Sequence, residues 1–217
     1  CLRLKKHIFE PSCSVLYISR AGFEAAVFLR QTHEISELDK HLLEVFLSSI
    51  SVGYENVNLF HELRNAAFRD WLTRLPNRNE FINMLDKPHL FAGENYSVAL
   101  IDVNHFSDIN DGLGQEVGNE LLRAISDRFQ SSFDSIVKKG RIGADVFGLI
   151  GPDDLVCPKS INNIFQSSFQ VGDHTLPVNI TLGLCKLDNK RHIGIEILKR
   201  TNIALNRAKK NLTDNFE

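Results

Sequence analysis

The sequence predicts an α+β chain: a βαββαβ core with helices packed on an antiparallel sheet, preceded by a long N-terminal helix. Three observations carry this. Apolar residues recur at helical spacing over residues 37–70 with no proline and one glycine to interrupt them. After Pro76 the pattern changes to short β-rich runs that alternate with helical ones. The order of those runs is strand, helix, hairpin, helix, strand, helix, and that order suits helices laid on one antiparallel sheet.

The elements are justified in chain order. Residues 14–18 and 23–29 are largely apolar, and turn-like Ser19, Arg20, Ala21 and Gly22 separate them, so two short strands are expected. Ser36 followed by Asp39 fits a capping box at a helix start. From there Leu43, Phe46, Ile50, Gly53, Val57 and Phe60 recur at spacings 3,4,3,4,3. Leu42, Val45, Ser49, Val52, Asn56, Leu59 and Leu63 form a second stripe beside them. Such heptad-like periodicity suits a helix packed on its own domain, and equally a stalk that pairs with a second copy.

Downstream, residues 97–103 form a β-rich run. Residues 120–129 place Leu121, Leu122, Ile125 and Phe129 on one helical face. Residues 135–142 and 146–150 are two runs joined by Gly143-Ala144-Asp145, which reads as a hairpin. Residues 161–169 are expected to be helical, 178–184 a strand, and 195–210 a closing helix with Ile197, Leu198, Leu205 and Ala208 inward.

Composition narrows the function classes. The chain has 217 residues, 43% of them apolar, enough for one sizeable core with a smaller element beside it. Lys and Arg total 25 against 27 Asp and Glu, a net charge of -2, which argues against a general nucleic-acid binder. Cys1, Cys13, Cys157 and Cys185 form no C-x-x-C pair and read as free, mostly buried thiols of a reducing cytoplasm. No apolar run reaches the roughly 20 residues of a membrane span. No two of the eight histidines have helical ligand spacing, so none is assigned to a metal.

Chemistry could reside in three pieces. Asp102-Val103-Asn104-His105-Phe106 closes a strand, and carboxylates at strand ends suit divalent cations, although an Asp there is also a common turn former. Asp145 sits at the hairpin tip, where Asp is equally an ordinary turn residue. Asn110-Asp111-Gly112 with Gly114 reads as a polar loop opening into a helix, able to offer N–H groups to phosphate or merely to cap the helix. Two carboxylates brought together on adjacent strands would make a metal site.

At these residues the chain resembles the GGDEF family of diguanylate cyclases, over about residues 65–213. Asp70-Trp-Leu-Thr-Arg-Leu-Pro-Asn-Arg78 matches the D-x-L-T-G-L-P-N-R opening except at Arg74. Leu100-Ile-Asp-Val-Asn-His-Phe106, Ile109-Asn-Asp111, Gly114 and Gly118 resemble L-x-D-x-D-x-F-K-x-I-N-D-x-x-G-H-x-x-G-D. Arg141-Ile-Gly-Ala-Asp-Val-Phe147 resembles R-Y-G-G-D-E-F, and Thr181-Leu-Gly183 and residues 204–209 resemble the later S-I-G and A-L-Y-x-A-K elements.

The resemblance implies a nucleotidyl-cyclase palm that condenses two GTP into cyclic di-GMP in a dimer, with Mg²⁺ or Mn²⁺ assisting attack of a 3′-hydroxyl on an α-phosphate. It places metal ligands on Asp102, the carbonyl of Val103 and Asp145, which is also the vestige of the catalytic signature. It places guanine recognition on Asn110 and Asn119, and phosphate binding on Lys209.

The departures from the family pattern are several. The second Asp of D-x-D is Asn104, and the phosphate Lys is Ser107. The guanine-reading Asp is Asn119, and the last phosphate Arg falls on Thr213. The signature itself reads Gly143, Ala144, Asp145, Val146, Phe147. A Cβ at Ala144 is expected to cost roughly 1–2 kcal/mol if the turn needs positive φ. The product-inhibition motif R-x-x-D is replaced at Asp134 and Val137, so that allosteric site is expected to be absent.

Residues 14–60 resemble the tail of a GAF-like sensor leading into a signalling helix. The expected domains are therefore 1–35, a sensor-like α/β tail; 36–70, a signalling and dimerisation helix; and 71–217, the GGDEF-type domain. The leading functional expectation is a degenerate, inactive domain serving as a regulatory or GTP-binding module. Its partners would be a second copy through the helix and a cyclic-di-GMP phosphodiesterase domain C-terminal in the parent protein. The alternative is an active cyclase that tolerates the substitutions.

Overall fold

The computed structural model describes residues 3, 5–20, 23–30, 33–87, 95–187 and 193–213. Cys1 and the side chain of Thr213 lie outside the described residues. The chain divides into two compact units, Cys1–Asn65 and Ala66–Glu217.

In the first unit, β1 (Ile8–Glu10), β2 (Cys13–Arg20) and β3 (Phe23–Arg30) form an antiparallel meander in the order β1-β2-β3. Helix α1 (Glu37–Phe68) follows as one unbroken element. Its start shows half of the expected capping box: Asp39 N–H donates to Ser36 Oγ at 3.2 Å, while Asp39 Oδ2 accepts from the Ser36 hydroxyl at 2.7 Å rather than from its N–H. Leu47 is buried with Leu16 and Ile18 of β2, and Leu43 packs beside them. The two apolar stripes are otherwise uncovered within this unit: Phe46 is 62% exposed and Phe60 64%. The helix ends at Phe68, two residues earlier than expected. Arg69 pairs with Pro76 as an isolated bridge, and Asp70 N–H donates to Leu75 O, turning the chain back on itself.

The second unit contains α2 (Arg78–Leu85), β4 (Tyr96–Val103), α3 (Phe106–Leu113), α4 (Gln115–Ser132), β5 (Lys138–Arg141), β6 (Val146–Pro152), α5 (Pro158–Phe165), β7 (Phe169–Val171), β8 (His174–Leu176), β9 (Ile180–Leu187) and α6 (Gly194–Thr213). The main sheet has the order β5-β6-β4-β9, every pair antiparallel. The βαββαβ core is therefore present. Central β4 is buried at all eight positions. Its Ala99, Ile101 and Val103 join a core with α4 and α5, while Tyr96, Val98 and Leu100 join a second core with α2 and α6. Strand alternation thus serves both faces of one sheet.

Several boundaries differ from the sequence expectation. Helix α5 runs Pro158–Phe165 rather than 161–169, because Pro158 suits a first helical turn. Beyond it Arg128 accepts no continuation: its guanidinium donates to the carbonyls of Ile164, Ser167 and Ser168, and Phe169 starts β7. The first hairpin strand spans only Lys138–Arg141. Asn110 lies on helix α3 and not in a loop. Cys13, Cys157 and Cys185 are free but half-buried rather than buried, since they stand at a strand start, at the N-cap of α5 and on the sheet's end strand. Among the described residues no helix is long and apolar enough to cross a membrane.

Candidate functional site

Asp102 is the last but one residue of β4, on the face that receives α6. It is 4% exposed, and its cross-strand neighbours are Val146 on β6 and Thr181 on β9. Lys209 reaches it from the last turns of α6, with Nζ 2.5 Å from Oδ2. This approach depends on Gly183. A Cβ there would stand 2.4 Å from Leu205 N and 2.6 Å from Thr201 O, so the helix backbone lies directly on β9. One turn further on is Lys209. Burial raises the Asp102 carboxyl above its ordinary range; the Lys209 hydrogen bond opposes this, and the negative charge of Asp145 adds to it.

The hairpin brings Asp145 to that neighbourhood. Val103 N–H donates to Asp145 O at 3.2 Å, so the strand-end and hairpin residues named from the sequence are adjacent. The turn closes through Ile142 N–H and Gly143 N–H, both donating to Val146 O. Among the described residues, the non-glycine positions with positive φ are Lys5, Arg74 and His105. Ala144 is not one of them, so the strain expected there does not arise. It arises instead at Arg74, φ 60°, where the resemblance has glycine. Val146 is half-buried and packs with the α2 and α6 core.

Arg141 holds the hairpin from beneath. Its Nη1 donates to Asp70 Oδ1 at 2.9 Å and its Nη2 to Ala144 O at 2.5 Å. Asp70 also accepts from Thr73 N–H and Thr73 Oγ1. Both residues lie in family-like motifs, and nothing local in the sequence marks their pairing. Only the fold shows that the first motif anchors the signature turn.

Asn110 lies on α3 and Asn119 on α4, next in sequence to Gly118. The Asn110 amide lies so close to Gly118 that a Cβ there would meet Oδ1 at 1.9 Å. Glycine is what lets α4 admit this side chain beside position 119. The Oδ1 of Asn104 accepts from Thr181 Oγ1 at 2.7 Å, and its N–H donates to Asn179 O. Ser107 is exposed on α3 and donates to Asp108.

A cavity of about 1070 Å³ opens at Asp102 and Lys209 and extends past Asn104 and His105 to Asn179 and to Gln166, just past α5. Among the described residues no cluster of three or more His, Cys, Asp or Glu could hold a metal ion. The donors that fit one divalent cation are the Asp102 and Asp145 carboxylates with the Val103 carbonyl. The Asp145 charge adds to the cost of ionising Asp102, and a cation beside that carboxylate would offset it.

Known proteins resemble this chain in sequence and fold. The sequence profile described as "Diguanylate cyclase, GGDEF domain" matches residues 67–215. This chain belongs to the GGDEF family. Residues 1–63 match a domain of unknown function, DUF3369. The chain is 31% identical to signaling protein YkoW of Bacillus subtilis over 68% of its own length and 20% of that protein's. It is 29% identical to cyclic di-GMP phosphodiesterase NbdA of Pseudomonas aeruginosa over 68% of its length and 20% of the relative's. It therefore spans about a fifth of the length of these curated relatives. The solved coiled coil and GGDEF domain of DgcB from Caulobacter crescentus, in complex with c-di-GMP, superposes with a TM-score of 0.64 at 21% identity, over 78% of this chain and 95% of that one. Within this fold Asp102 meets Lys209, Val103 meets Asp145, and Asn110 lies against Gly118.

Proposed function

We propose that this GGDEF domain is a degenerate member that binds GTP but makes no cyclic di-GMP, and acts as a regulatory module in cyclic-di-GMP signalling. The observation that carries this is Val146. It stands directly across the ladder from Asp102, and its side chain packs with the α2 and α6 core where the family signature has a carboxylate. Asn104, whose amide oxygen is taken up by Thr181, removes a second carboxylate from the same corner. Together these leave Asp102, Asp145 and the Val103 carbonyl to hold a single Mg²⁺ or Mn²⁺, which when bound would neutralise phosphate charge. Asn110 and Asn119 hold guanine at α3 and α4, and Lys209 takes a phosphate. Small misplacements of the reacting groups cost about 100-fold in rate. Weakening phosphate grip and base recognition together therefore removes turnover before it removes binding.

In this reading α1 pairs with its equivalent in a second copy, and residues 1–35 are the end of a sensor module whose state the helix relays. A cyclic-di-GMP phosphodiesterase domain in the parent protein is the fitting recipient, given the likeness to NbdA. The active-cyclase reading rests on one observation, the undistorted hairpin with Ala144 outside the positive-φ region. Incubation with GTP and Mg²⁺ or Mn²⁺, with chromatography of the products, decides between the two. Saturable GTP binding without product is expected; robust turnover restores the cyclase.

A further inference from the structure

The Asp102 carboxylate already holds a cation of the protein's own. Lys209 Nζ is 2.5 Å from Oδ2, the carboxylate side chain is only 6% exposed, and the lysine side chain is 43% exposed at the mouth of the cavity. A divalent ion bound to the same carboxylate would stand a few ångströms from a fixed positive charge, a repulsion that a half-buried site screens weakly. Asn104 is neutral and adds no negative charge to offset that repulsion, and its amide oxygen already accepts from Thr181 Oγ1. Asp145 alone adds negative charge to the corner. A polyphosphate changes this balance. Its own charge compensates a metal ion, and its oxygens offer Lys209 a new partner within the same cavity.

We propose that Lys209 is the resident cation of the Asp102 corner, so that a divalent metal does not bind there in the free chain and arrives only with a polyphosphate that draws Lys209 away. The arrival rests on the reading of the site as a nucleotide site; the exclusion of free metal does not. The long flexible stem of lysine suits this exchange, since a partly exposed ammonium moves by rotation about its own side chain.

Equilibrium dialysis of Mn²⁺ against the whole chain tests it. The free wild-type chain is expected to retain little Mn²⁺, and Lys209→Met to bind it roughly tenfold or more tightly, a gain set by removal of one nearby charge. Asp102→Asn in the Lys209→Met background should abolish the gain, which locates the ion. Lys209→Arg keeps the charge and should behave as wild type, which separates charge from any change in folding. Equal Mn²⁺ retention by wild type and Lys209→Met overturns the proposal. GTP binding is measured separately by calorimetry without metal. GTP that binds the wild type yet brings no Mn²⁺ with it overturns metal arrival and leaves the nucleotide reading standing. Absence of GTP binding, with the Lys209→Met gain intact, supports the exclusion and overturns the nucleotide reading instead.

Discussion

Asp70 and Arg141, 71 residues apart in sequence, form an ion pair of 2.9 Å that ties the opening motif of the domain to its signature hairpin. Arg141 divides its donors between that carboxylate and the Ala144 carbonyl, so the turn carrying Asp145 hangs on the same guanidinium. Both side chains are largely buried, at 10% and 16% exposure.

Removing one partner leaves the other charge buried and unpaired, at a cost of about 3 kcal/mol. Asp70→Ala is therefore expected to lower stability by that amount in urea unfolding at neutral pH. Burial alone would raise the Asp70 carboxyl, but the Thr73 N–H and hydroxyl and Arg141 together hold it below the ordinary range. A depressed carboxyl stabilises above its unfolded value and loses that contribution as pH falls through the folded one. The gap between wild type and variant should thus narrow below about pH 4. A pH-independent gap would show that the lost contacts are not ionic.

Asp102 has the opposite sign. Its carboxyl is raised, chiefly by burial, so the ionised form costs stability once pH exceeds the ordinary value. Asp102→Asn keeps the shape and removes the charge, leaving Lys209 partly in water. A rise in Tm of about 2 °C is expected at pH 7, shrinking to nothing near pH 3 where both states are protonated in the wild type. A fall in Tm at pH 7 would mean that the Lys209 pair outweighs burial.

Arg74 holds φ 60° where the family pattern has glycine. A left-handed non-glycine residue costs about 1–2 kcal/mol, partly offset by the greater freedom of glycine in the unfolded chain. Arg74→Gly is expected to stabilise the domain by roughly 0.5–1 kcal/mol. Its side chain donates no hydrogen bond among those seen in the described residues; it is the Arg74 carbonyl that receives Arg69. Lower stability in chemical denaturation would refute the strain.

The exposed stripes on α1 should carry self-association. Phe60→Glu combined with Val45→Glu places charges on both stripes, away from Leu47 and the unit's own core. Sedimentation at micromolar concentration is expected to show a dimer for the wild type and a monomer for the variant, with unchanged helicity. A monomeric wild type would remove the stalk reading.

Periodicity and motif order were enough for the sequence to determine the βαββαβ core, the unbroken α1 and the family. Each depends on residues near one another in the chain: the heptad spacing of Leu43 to Phe60, the Ser36–Asp39 cap, and runs of alternating or helical pattern. The placement of Asp102 beside the hairpin was legible too, because a strand end and a turn tip were visible separately and the family order joined them. What escaped was short or context-bound. Helix α2 and the β7–β8 hairpin are too brief for a clear period, and α5 ends at Phe165 rather than 169 although Phe169 continues its apolar spacing. The expected strain was assigned to Ala144, yet backbone sign at a turn is decided by how the strands close around it. Only the tertiary structure decided that the strain sits at Arg74, that Arg141 serves both Asp70 and the turn, and that Lys209 occupies Asp102 from 107 residues away. Pairings of that kind depend on how a helix docks on a sheet, here on the bare Cα of Gly183 beneath Leu205. Residue type and spacing carry no record of that distance.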